Sequence, residues 1–131
     1  MKRILLSIII TTCLASCKHA TLEDSAENMA NEYTERYCPT PVNGMQRTDS
    51  VTFDRDTHTF NYYYTLTDKA DDPVAVGGVK KSISNALLKE LKENTSLKAF
   101  KDAHYAFRYV FNSQTNKATL LELTFKSNDY K

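Results

Sequence analysis

Four short runs of this 131-residue chain alternate apolar and polar side chains with a period of two. Val51 and Phe53 alternate with Thr52 and Asp54, and Phe60, Tyr62, Tyr64 and Leu66 alternate with Thr59, Asn61, Tyr63, Thr65 and Thr67. Tyr105, Phe107, Tyr109 and Phe111 make a third apolar row, and Leu121, Leu123 and Phe125 a fourth. Side chains along a strand point to opposite faces in turn, so each run predicts a strand with one buried and one wet face. Strands are expected over residues 50–54 and 59–67, with Arg55-Asp56-Thr57-His58 as the hairpin loop and Phe53 opposite Phe60. In the second hairpin, Tyr109 opposite Leu121 would set Arg108 against Glu122 on the wet face, a cross-strand ion pair that supports the register.

Four apolar rows on one side of a sheet need a second layer to cover them. Leu22, Ala26, Met29, Ala30, Tyr33 and Tyr37 recur at helical spacing, with Glu23 and Asp24 in the first turn and Pro39 and Pro41 beyond the end. They predict a helix over residues 21–38. Residues 69–78 read as a polar loop closing on Gly77-Gly78. A second helix is expected from Val79, Ile83, Ala86, Leu87 and Leu91, with Lys and Glu on its other face. Asn94-Thr95-Ser96 marks a break and a new N-cap, after which Leu97 and Phe100 seat a short turn. The order α-β-β-α-β-β points to an α+β fold: a four-stranded antiparallel sheet with two helices packed on one face, forming one globular domain over residues 21–131.

The N-terminus is of another kind. Lys2 and Arg3 precede an apolar run over residues 4–15. A membrane-spanning helix needs about 20 apolar residues, so this run is too short to cross and suits the core of a signal peptide. It ends in Leu14-Ala15-Ser16-Cys17, which resembles the lipobox of bacterial lipoproteins. The resemblance implies cleavage before Cys17, with residues 1–16 as the discarded signal. It also implies a diacylglyceryl group on the Cys17 sulfur and a third acyl chain on the new amino terminus. Stable anchoring takes two or more chains, so three would hold the protein on its membrane. Residues 17–20 would be a short lipid-anchored linker. The expected location is the cell envelope, and Lys18 after the cysteine leaves outer-membrane delivery open. The segments RTDSVTF, TFNYYYTL, AFRYVF and LLELTF are similar to the sheet pattern of small cell-envelope lipoproteins with no settled activity. That likeness lends no functional residue beyond Cys17.

Loss of residues 1–16 removes two of the 17 basic residues and none of the 16 acidic ones, leaving a formal charge of −1. A nucleic-acid partner would call for a strongly basic face, so none is expected. Cys13 leaves with the signal and Cys17 takes lipid, so Cys38 remains alone and the domain must stand on its packing without an intrachain disulfide. Cys38 is expected to be buried, and its place at a helix C-terminus disfavours a thiolate.

Chemistry-bearing clusters are sparse. His19, His58 and His104 fall in the linker, at a hairpin tip and on a wet face, without the three or four converging ligands that zinc takes, so no metal and no cofactor is expected. Gly77, Gly78, Lys80 and Lys81, read as a helix start, could hold an anion on backbone N–H groups and ammonium charges. Tyr63, Arg108 and Glu122 share the open face of the sheet and could contact a sugar, a peptide or a protein. The function expected from the sequence is a lipid-anchored, non-enzymatic binding module with a protein or glycan partner. The alternative is a small envelope enzyme, or an inhibitor of one, working from the open sheet face or the helix start at residues 77–82. The sequence carries no sign of oligomeric state.

Overall fold

A computed structural model describes residues 19–131; the expected signal peptide and the Cys17 lipidation site lie outside the described residues. Helix α1 (Leu22–Tyr37) forms where the apolar spacing placed it. Thr21 and Asp24 build a reciprocal capping box: the Asp24 N–H donates to Thr21 Oγ1 at 3.1 Å, and the Thr21 N–H to Asp24 Oδ2 at 3.0 Å. Ala26 and Ala30 are fully buried and bring the helix backbone close to the sheet. Met29, Tyr33 and Tyr37, expected in the same buried stripe, stay substantially exposed.

Strand β1 (Gln46–Asp54) starts before the expected segment and pairs antiparallel with β2 (Thr59–Leu66), with Phe53 opposite Phe60. The outer edge of β1 is guarded. The Thr34 hydroxyl of α1 donates to Val51 O and accepts from Val51 N, both at 2.8 Å, and Thr40 bonds Thr48 through its Oγ1 and its backbone N–H. Edge groups that would otherwise invite another strand are thereby satisfied.

Helix α2 (Pro73–Glu93) corrects the sequence reading. It begins well before the expected start at Val79, and Gly77-Gly78 lie inside it. Asp72 caps it, accepting from Val74 N at 2.9 Å, and Pro73 takes the first helical position, where a missing N–H costs nothing. Two glycines weaken a helix by about 1 kcal/mol each but do not end one held by a cap and by packing. Val76, Ile83, Leu87, Leu88 and Leu91 face inward, and Val79 is exposed. As expected, Asn94 breaks the helix and caps the next turn, which leads into α3 (Lys98–Asp102) with Leu97 and Phe100 buried.

Strands β3 (Ala106–Ser113) and β4 (Thr119–Phe125) complete a sheet of order β1-β2-β3-β4, and a short α4 (Ser127–Tyr130) follows. The fold is α+β with four strands, but the sheet is mixed. The two hairpins are antiparallel, while β2 and β3 run parallel in register from Thr59↔Ala106 to Leu66↔Ser113. The cause is α2 itself: a helical crossover returns the chain to the end of the sheet where β2 began, which is the connection a parallel pair needs. The second hairpin is also two residues out of the expected register, with Tyr109 opposite Leu123 and Val110 opposite Glu122. An even slide leaves every side chain on its expected face.

The parallel register stacks one aromatic row on the other. Phe60 lies over Phe107, Tyr62 over Tyr109 and Tyr64 over Phe111, with ring centroids 5.6, 4.9 and 4.8 Å apart and rings near parallel. These rows, with Ala26 and Ala30 of α1 and Val76 and Leu91 of α2, make one core, so both long helices cover the same face. Tyr130 of α4 closes its lower end, donating to Tyr105 O at 2.7 Å and meeting Phe107 edge-on.

Candidate functional site

The uncovered face of the sheet brings together the three residues singled out there. Arg108 Nε donates to Glu122 Oε1 at 2.8 Å, diagonally across the strands rather than directly opposite. Arg108 Nη1 donates to Asn61 Oδ1 at 3.3 Å and to the Tyr63 hydroxyl at 3.4 Å. The hydrogen bond from Arg108 holds the Glu122 carboxyl below its usual range. Beside them Arg47 pairs with Asp49 at 2.8 Å, and Asp49 accepts the Thr65 hydroxyl at 2.6 Å. The face is thus polar and internally paired: these side chains spend much of their hydrogen-bonding capacity on one another.

The anion site expected at residues 77–82 loses its physical basis. Gly77, Gly78, Lys80 and Lys81 sit within α2, where backbone N–H groups are taken up by the helix ladder. Cys38 caps the C-terminal end of α1 and is half-buried rather than fully enclosed. Burial pushes its thiol pKa up and the charge of Asp49 adds to that, the opposite of an activated nucleophile. His58 stacks on Tyr105 with centroids 4.9 Å apart and lies 3.2 Å from Glu23. Among the described residues, no three His, Cys, Asp or Glu side chains gather as metal ligands would.

A second feature lies on the helix-covered face. Helix α1 sits over β1 and α2 runs towards β4, and the two helices scarcely touch. Between them the floor formed by β2 is open. The resulting groove, about 250 Å³, has Met29, Ala30 and Tyr33 on one wall and Glu90, Asn94, Ser96 and Leu97 on the other, with Tyr62 and Tyr64 in its floor. Burial pushes the Tyr62 and Tyr64 phenols well above their ordinary pKa, and Glu90 adds to this, so both stay neutral. Neither hydroxyl has a hydrogen-bond partner among the described residues, whereas Tyr130 and Tyr63 both do. A tyrosine in a core row ordinarily finds a partner for its polar end or keeps it in contact with water. Along the outer wall Tyr37 follows Tyr33 with rings 5.3 Å apart, extending the apolar rim.

The sequence reading placed Tyr62 and Tyr64 in the core and so passed over the groove. The signal was present in the residue type: tyrosine, where phenylalanine would fill a closed core equally well, puts an oxygen on the buried row. Parity assigns a residue to a face but does not tell which part of that face the helices leave bare.

Residues 21–121 match the model of a protein family described as a domain of unknown function, DUF8479. The chain belongs to that family. Solved structures similar to this DUF8479 chain include a protein of Pseudomonas aeruginosa described as secreted, at 12% identity over 86% of this chain and 100% of that one, with a TM-score of 0.66. EpsS, a pilotin of the Vibrio vulnificus type 2 secretion system, aligns at 10% identity over 83% of this chain and 91% of its own, with a TM-score of 0.63. AspS, a type II secretion system pilotin of Vibrio cholerae, aligns at 13% over 82% and 90%, with a TM-score of 0.58. At these identities the likeness is one of fold. No curated protein matches the chain in sequence.

Proposed function

We propose that this DUF8479 chain is a lipid-anchored, non-enzymatic binding module of the cell envelope, at the outer membrane, that receives a short protein segment in the groove between α1 and α2. The observation that carries the reading is the open groove between the two helices, whose apolar wall of Met29, Ala30 and Tyr33 faces a polar one of Glu90, Asn94 and Ser96 over two tyrosine hydroxyls that bond nothing among the described residues. Both hydroxyls open on the groove rather than being sealed in the core, so a bound segment can reach them. At about 250 Å³ the groove is below the roughly 300–1,000 Å³ of small-molecule pockets and is sized for a few side chains of a longer partner. Its chemistry selects an apolar stretch carrying a hydrogen-bonding group over Tyr62 and Tyr64 and a basic residue towards Glu90, the charged side chain of the lining.

The fold shared with two type II secretion pilotins supports a pilotin-like role, in which a small envelope protein attends a larger secretion assembly. The paired side chains of the opposite face favour the groove over Tyr63, Arg108 and Glu122 as the working surface. The anchor rests on the lipobox residues Leu14-Ala15-Ser16-Cys17.

The test uses Cys17→Ala and the groove variant Met29→Glu/Tyr33→Glu. Cys17→Ala is expected to release the protein from membranes without altering its thermal unfolding. The groove variant is expected to stay on the membrane, keep its fold and lose its co-purifying partner by about tenfold or more, the effect of one lost binding hot spot of at least 1.4 kcal/mol. Undiminished partner recovery from the groove variant would refute the groove as the site.

A further inference from the structure

We infer that the end of the domain bearing α3 lies against the membrane and contacts anionic phospholipid headgroups through a basic cleft; this rests on the lipid-anchor reading above. The first observation is reach. Three residues separate Cys17 from the Thr21 cap, and four extended steps of about 3.3–3.6 Å each hold the start of α1 within roughly 14 Å of the Cys17 backbone. Whatever shares that end of the domain is held near the bilayer with it.

The second observation is what shares it. Glu23 at the start of α1 meets His58, His58 stacks on Tyr105, and Tyr105 O accepts the Tyr130 hydroxyl at 2.7 Å. Tyr130 in turn lines a cleft of about 530 Å³ with Lys92, Lys98, Lys101, His104 and Lys131. Asp102, paired with Lys98 at 2.6 Å, is the carboxylate side chain in that lining. The acids at the start of α1 are already engaged: Asp24 and Glu27 on Arg55, and Glu23 on His58. Lys101 holds the last carbonyls of α2, donating to Leu91 O at 2.7 Å and Lys92 O at 3.0 Å, and so offsets the negative end of that helix dipole. Asp54, Asp56, Glu93 and Asp129 also belong to this end, outside the cleft. The cleft therefore offers an excess of cations, four lysines to one carboxylate side chain, at the end of the domain that a tether at Cys17 would hold near lipid. Lysines near an anionic leaflet are drawn to it over about a Debye length.

The experiment uses the full lipidated protein, reconstituted into vesicles of phosphatidylcholine alone or of equal parts phosphatidylcholine and phosphatidylglycerol. Lysine acetylation rates are read site by site by mass spectrometry. Lys92 and Lys98 are expected to label about fivefold more slowly on the anionic vesicles, with the difference erased by high salt. Lys69 and Lys117, at the far ends of β2 and of the β3–β4 turn, are expected to label equally on both. Equal rates at Lys92 and Lys98, or slowing at Lys69 and Lys117, would overturn the inference while leaving the anchor intact. The same spectra report the mass of the peptide carrying Cys17; absence of acyl mass there would overturn the anchor reading and this inference with it.

Discussion

The phenol oxygens of Tyr130 and Tyr64 belong to one core and are treated differently by it. Tyr130 donates a buried hydrogen bond to Tyr105 O, so Tyr130→Phe is expected to lower stability by about 1 kcal/mol. Tyr62→Phe and Tyr64→Phe lose no intramolecular bond and are expected to leave stability within about 0.5 kcal/mol of the parent, measured by urea unfolding, while weakening partner binding. Charge at the start of α1 gives a second expectation. The hydrogen bond from Arg55, with the Thr21 amide, lowers the Asp24 pKa to about 2. A carboxyl whose folded pKa is depressed contributes stability that is present above its ordinary pKa and is lost as pH falls towards the folded one. The urea midpoint is therefore expected to fall between about pH 4 and pH 2, less steeply in Arg55→Gln, and less in high salt because the pair is exposed. Tyr63, Arg108 and Glu122 were legible as neighbours because strand parity puts them on one face. Their mutual satisfaction was not, since it depends on rotamers and on a two-residue slide of β4.

At the scale of elements, α2 is where local signals competed. Gly77-Gly78 read as a boundary, yet Asp72-Pro73 upstream is a complete N-terminal signature, a capping carboxylate followed by proline. A cap defines where a helix begins, whereas a glycine only makes continuation less favourable. Neither Gly77 nor Gly78 has a positive φ, and a Cβ built on either meets nothing within 4 Å. Gly77→Ala and Gly78→Ala are each expected to stabilise the protein by about 0.5–1 kcal/mol, read as a rise in Tm; a glycine held at positive φ, as Gly44 is, would respond in the opposite direction. The parallel β2–β3 pair was implicit in the order strand-helix-strand, because a crossover of that length returns the chain in the same direction. The alternating rows fixed faces for all four strands, but alternation is silent on strand direction and on register slides of two.

For the whole molecule, what matters is where the helices are not. Helix α1 is drawn to the outer edge by the bonds of Thr34 to Val51, and α2 must cross from the end of β2 to the start of β3. The two are left splayed over a row of aromatic rings, with Tyr62 and Tyr64 in the gap. Helix amphipathicity tells that each helix packs on the sheet; it does not give the distance between helices, so the groove was beyond the sequence while the layers that form it were not. The most direct measurement places a photo-crosslinking amino acid at position 33, in the groove wall, or at position 63, on the open face, of the lipidated protein in living cells. The account predicts a discrete protein adduct from position 33, abolished by Met29→Glu, and none from position 63. An adduct from position 63 with none from position 33 would contradict it.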